Sequence, residues 1–306
     1  MRRTVSICVA LVVLGLLAGL VFDASAQSIT IKRVGISVNY AKIAYPGQTW
    51  SWQISNGLKA VGTGTKAFWV VDTVGSGATG APSWAIVSVP GGSTATLDST
   101  GTMANSMKTD VVGQYIVSVT VGGLTAYDSI WASNYRGMTA DANAGCVCHP
   151  TAGDIKAKWA TTGHAKIFTE GITGELEVVE ETGQGLYAKS CISCHTTGFQ
   201  YELNNGNFGY LAHNNPAPPN AWDSTWWVGL PMTADGRDVM ITAGDQTILN
   251  ALPSVLKPVS YIGCESCHGP LDQHMSAFDM TMQRVGKTLE PDVCNQCHDG
   301  STRHSL

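Results

Sequence analysis

Between residues 27 and 135, apolar and polar residues alternate in short runs, at 29–38, 49–54, 67–74, 84–89 and 114–121. A period of two puts every second side chain on one face of a strand. Gly, Pro, Asn and Asp fall between the runs, where tight turns need them. Short strands at this spacing predict an antiparallel β-sandwich. Trp50, Trp52, Trp69 and Trp84 lie in or beside these runs and are expected in its core rather than on a ligand platform.

Beyond residue 136 the pattern changes. Helical periodicity is confined to short candidates at 154–160, 184–191, 246–256 and 271–282. The stretch 204–227 is rich in Asn, Gly, Pro and Trp and reads as a loop. At the other end, Arg2-Arg3 precede an apolar run at 5–22, followed by Ala24-Ser25-Ala26. Positive residues, an apolar run and an A-x-A ending predict a secretory signal peptide cleaved after Ala26, which removes Cys8. A retained anchor is the alternative, since the run is about as short as a span can be. No other segment is apolar enough to cross a membrane. The expected organisation is a signal peptide (1–26), a β-sandwich (27–135) and a second domain (136–306), in a chain exported to the periplasm or the cell surface.

The net charge is −5, and 13 % of residues are charged. That is no footprint for nucleic acid. A surface with so little charge is compatible with self-association.

The cysteines and histidines carry the chemistry. Four stretches end in Cys-His: Cys146-Val147-Cys148-His149, Cys191-Ile192-Ser193-Cys194-His195, Cys264-Glu265-Ser266-Cys267-His268 and Cys294-Asn295-Gln296-Cys297-His298. The last three match C-x-x-C-H, the attachment pattern for c-type haem. Two thiols form thioethers to the porphyrin, and the adjoining His becomes the proximal iron ligand. Structural zinc would use similar residues but does not require a His directly after each second Cys. A disulfide framework would not impose that spacing either. The first motif is one residue short: the outer cysteine position is held by Gly145, and Cys146 is displaced. Its second thioether is strained or absent, whereas His149 remains in place.

Four motifs predict four covalent haems with His149, His195, His268 and His298 as proximal ligands. Four of the eight histidines remain, His164, His213, His274 and His304, one after each motif. They are the expected distal ligands, giving bis-His coordination. Met275 and Met280 are thioether alternatives near the third motif. His274 and His304 each follow a motif His by six residues, about 9 Å of helix, and are expected to reach a neighbouring haem rather than their own. With four haems in about 170 residues, the cofactors themselves are expected to form much of that domain's core, with Trp226-Trp227 packed on porphyrin or in ordinary aromatic contacts.

Two resemblances extend these readings. Asp110-Val111-Val112-Gly113-Gln114-Tyr115 resembles the D-x-x-G-x-Y turn of immunoglobulin-like and polycystic-kidney-disease-type domains, which implies that the Tyr115 hydroxyl ties down the preceding loop. His149-Pro150, Trp159, Gly163-His164-Ala165, the segment 191–199 and the segment 263–274 resemble the multihaem cytochromes related to the nitrifiers' tetrahaem cytochrome. That resemblance spans residues 141–306. It implies electron transfer through closely stacked haems, with His164 and His274 as distal ligands. The chain is also similar to tetrahaem extracellular cytochrome filaments of the OmcE type, in which a His of one subunit can complete a haem in the next; His213 or His304 would be the counterpart here.

The expected function is electron transport with no substrate chemistry. Its partners would be redox proteins, extracellular electron acceptors or further copies of the chain in a filament. The competing expectation is a redox enzyme with one five-coordinate haem acting on a small nitrogen or sulfur compound.

Overall fold

The computed structural model describes residues 27–35, 57–137, 152–188, 191–198, 203–214, 238–272, 291–294 and 296–298. Residues 1–26, where the signal peptide is expected, Trp50, Trp52, the first motif with Cys146, Cys148 and His149, Trp226-Trp227, His274, Met275, Met280 and His304 lie outside the described residues.

The N-terminal part is built of seven strands, β1 (Thr30–Val34), β2 (Ala60–Gly62), β3 (Lys66–Asp72), β4 (Ser83–Ser88), β5 (Ala104–Lys108), β6 (Gly113–Val121) and β7 (Leu124–Ser133). They form a three-stranded sheet in the order β1-β3-β5 and a four-stranded sheet in the order β2-β7-β6-β4. Period two is clearest in β6, where Tyr115, Val117, Val119 and Val121 are buried and the residues between them are less so. Alternate residues of both sheets enter one core, with Trp69 and Met107 from one and Trp84, Tyr115 and Ile130 from the other. The hairpin between β6 and β7 turns on Gly122-Gly123, both at positive φ, as the tightest two-residue turn requires.

Polar groups join the two sheets. The Trp69 indole on β3 donates to Asp128 on β7 at 2.9 Å, and Arg33 on β1 forms an ion pair with the same carboxylate. Trp84 donates to the Thr102 carbonyl at 2.7 Å. Both tryptophans are core residues with satisfied N–H groups.

The all-antiparallel expectation is corrected at one edge. β2 runs parallel to β7, held by bonds from Trp131 N to Lys59 O and from Thr63 N to Ser133 O. β2 has only three residues and enters from outside the hairpin series, so no turn fixes its direction.

The C-terminal part mixes short helices with a small sheet. In chain order these are α1 (Ala152–Ala160), α2 (Gly163–Ile172), β8 (Val178–Val179), β9 (Gln184–Ala188), α3 (Ile192–His195), α4 (Phe208–Asn214), β10 (Asp238–Thr242), α5 (Thr247–Ala251), α6 (Cys264–His268) and α7 (Pro291–Cys294). The sheet is antiparallel, ordered β10-β9-β8. A second core cluster gathers Phe168, Ile172, Tyr187, Phe208, Ile241 and Leu256.

Three sequence expectations are corrected here. The helix expected at 184–191 is strand β9, with Gly185 and Tyr187 inward; Gly185 lies so close to the Gly174 carbonyl that a side chain would not fit. The helix expected at 246–256 stops at Ala251, because Leu252 precedes Pro253 and takes an extended ψ of 119°. The loop expected at 204–227 contains α4 at its start. Its signal was Asn207, whose side-chain oxygen accepts the Tyr210 N–H at 3.0 Å as a helix N-cap. Among the described residues no helix is long and apolar enough to cross a membrane.

Candidate functional site

Three of the four Cys-His motifs come together. Cys191 precedes α3, which carries Cys194 and His195; α6 carries Cys264, Cys267 and His268; Cys294 closes α7, with Cys297 and His298 just after it. A turn locks the fourth motif, with the Cys297 and His298 N–H groups both donating to the Cys294 carbonyl. None of the six described cysteines is joined in a disulfide. Among the described residues no three His, Cys, Asp or Glu side chains converge on one point, as tetrahedral zinc would require.

The motifs surround one cleft, lined by Cys194, Cys267, Cys294, Cys297, His164 and His298 together with apolar Val61, Ile262 and Val293. Counting the space at its open mouth, it encloses about 960 Å³. An adjoining cleft of about 770 Å³ shares His164, Cys194, Cys297 and His298, and adds His195. Across this space the His164 and His298 rings stand 6.2 Å apart, centre to centre, at an interplanar angle of 54°. Burial, and then the neighbouring His298, hold the His164 imidazole below the usual histidine range. At neutral pH it keeps a lone pair to offer a metal.

The placement of His164 explains the spacing between it and Trp159. The Trp159 indole donates to the Ile262 carbonyl at 3.0 Å, and the Ile262 N–H donates to the His164 carbonyl at 3.1 Å. The two helix residues thus grip one residue of the segment that leads into α6. The Trp159 ring also meets Tyr261 edge-on at 5.1 Å. Thr197, just after the second motif, is tied to the same segment by its hydroxyl, which donates to Tyr261 O at 2.7 Å.

The N-terminal strands form part of the site. Val61, Gly62 and Thr65 line the larger cleft beside the motifs, as does Tyr135. Gly269, directly after His268, has φ +83°, and a Cβ on it would lie 2.3 Å from the Ala60 carbonyl of β2. Glu265, inside the third motif, is only 3 % exposed. Its carboxylate accepts N–H bonds from Arg136, Gly137 and Leu271 at 2.6 to 3.1 Å. Burial pushes its pKa up, and those backbone bonds oppose the shift without cancelling it. Arg136 in turn pairs with Asp272 at 3.2 Å. Nothing in the C-x-x-C-H pattern singles out Glu265, Tyr135 or the β2 residues.

His195 is buried, and its Nδ1 lies 2.9 Å from the Tyr187 hydroxyl. Burial, and then the nearby Cys191 and Cys194, raise the Tyr187 phenol well above its ordinary range. The Cys267 thiol is pushed up by burial and by Cys294 beside it. His213 sits exposed at the end of α4 and is not among the residues lining either cleft. Of the two described spare histidines, the clefts take His164. No protein-family model matches the sequence, and the curated proteins contain no match to it.

Proposed function

We propose that this chain is an exported tetrahaem c-type cytochrome that carries electrons and performs no substrate chemistry. The observation that carries the reading is the opposition of His164 and His298 across a cleft that also holds Cys294 and Cys297. With ring centres 6.2 Å apart, His164 and His298 are close enough that both would give a nitrogen to one iron held between them. A haem iron between two such imidazoles gains and loses single electrons with no open coordination position.

The residues present suit that group. Cys294 and Cys297 would tether it, and His298 and His164 would hold its iron. Val61, Ile262 and Val293 exclude water from its faces. The Ser266 hydroxyl, buried beside the cleft with no hydrogen-bond partner, suits a polar edge group. His195 and His268 are the proximal ligands of two further haems. The meeting of three motifs at one cleft supports close stacking. His149 completes the set with the first motif, and His213, His274 and His304 remain the distal candidates.

Export belongs to the same reading, with residues 1–26 as the signal. The two N-terminal sheets are read as an immunoglobulin-type sandwich. The Tyr115 hydroxyl supports this, since it accepts the Asp110 and Val111 N–H groups at 3.1 and 2.8 Å and so fastens the loop before β6.

The test is the full chain produced with a c-type maturation system. Four haems per chain by pyridine haemochrome assay, with only low-spin ferric signals in EPR, are expected. Fewer than four, or ready binding of carbon monoxide at full occupancy, refutes the proposal.

A further inference from the structure

Of the three described motif histidines, His195 alone is buried, at 5 % exposed. It borders the smaller cleft, and its Nδ1 is met by the Tyr187 hydroxyl at 2.9 Å. The two rings are nearly parallel, 30° apart in plane and 5.6 Å between centres.

Tyr187 is held in position from several directions. It lies on β9, paired with Val239 of β10, and is 1 % exposed within the core of Phe168, Ile172 and Phe208. Helix α2 makes room for it at Gly171, where a Cβ would lie 2.2 Å from the Tyr187 ring. A ring packed this way cannot swing its hydroxyl away without disturbing the helix.

The direction of the bond follows from the ligand role of His195. A neutral imidazole that gives Nε2 to a metal carries its proton on Nδ1 and donates from there. The Tyr187 oxygen is then the acceptor. Such a bond makes the imidazole a stronger donor to the metal, which favours oxidised iron over reduced.

We propose that Tyr187 is a positioning residue for His195: its hydroxyl fixes the tautomer that presents Nε2 to the iron of the second motif and holds that haem at a lower potential than an unsupported imidazole would. This rests on the tetrahaem reading above. Glu265 and the β2 wall brace the third motif.

The experiment is a spectroelectrochemical titration of matured full-length wild type and Tyr187→Phe, after haem counting on both. With four haems in each, one midpoint is expected to move to higher potential while three stay in place, and one low-spin EPR component is expected to change. Four midpoints unmoved, with unchanged EPR, overturn the proposal and leave the tetrahaem reading standing. A wild type with fewer than four haems overturns that reading itself, and this proposal with it. If Tyr187→Phe does not fold, NMR of the reduced wild type decides. A slowly exchanging His195 Nδ1 proton with cross-relaxation to the Tyr187 ring supports the assignment, and its absence overturns it.

Discussion

The imidazole centres of His164 and His298 lie 6.2 Å apart although the residues come from opposite ends of the C-terminal part, one from the start of α2 and the other from the turn after α7. The two rings are placed differently, His164 by a distant segment and His298 by its own neighbours. His164 is held by the grip of α1 and α2 on Ile262, and His298 by the turn that closes on the Cys294 carbonyl.

His164→Ala removes one side of that pair. If the tetrahaem proposal holds, about one haem equivalent in four is expected to turn high-spin and bind carbon monoxide, with the total haem count unchanged because the cysteines are untouched. EPR and carbon monoxide difference spectra measure it. An unchanged low-spin spectrum would place the distal ligand elsewhere.

The buried Glu265 carboxylate accepts three backbone N–H groups. Glu265→Ala orphans them and is expected to cost about 2–4 kcal/mol. Glu265→Gln keeps one acceptor oxygen and is expected to cost less. Denaturant unfolding gives the magnitude. Faster amide exchange at Arg136, Gly137 and Leu271 would locate the loss at the join between the β2 side and the third motif.

Gly269→Ala combines a positive φ with a collision against the Ala60 carbonyl. The clash is with backbone, so no side chain can turn aside, and a loss of about 2–4 kcal/mol is expected. A thermal melt followed by tryptophan fluorescence checks it. Gly123→Ala is a useful contrast, because nothing lies within 4 Å of its added carbon and only the strain of φ +83° applies.

Asp110 titrates in the acid range. Burial pushes its pKa up, but bonds from Ser93, Thr94 and the Tyr115 hydroxyl outweigh that and hold it at about 2. A carboxyl in the unfolded chain titrates at about 3.9. A depressed folded value contributes stability that is present above the unfolded value and is lost as pH falls from about 4 to about 2. The carboxylate is exposed, so solvent screening keeps the effect small. Melts of wild type and Asp110→Asn over that window should converge toward low pH, the variant showing the flatter dependence.

Much of this was legible in the sequence because it is local. Period two gave β6, and the D-x-x-G-x-Y turn led to the Tyr115 contacts, since strand faces and turns are decided within a few residues. The motif cysteines and histidines announced themselves by adjacency. What the sequence hid was set at long range. Residues 184–188 could have served in a helix, and form a strand where they pair with β10, Gly185 fits against the Gly174 carbonyl and Tyr187 packs on Gly171 of α2. The pairing of His164 with the fourth motif depends on Ile262, which no pattern marks. Tyr187 and Glu265 look like any Tyr and Glu until the chain has closed around them.

The larger cleft draws one wall from residues 61–65 and another from residues 293–298. Contacts between such distant parts of a chain demand that the intervening loop be closed first, and topologies rich in them assemble slowly. The cleft is therefore expected to form late as the polypeptide folds. Until its two ends meet, the thiols of the fourth motif stay within reach of any machinery that must modify them.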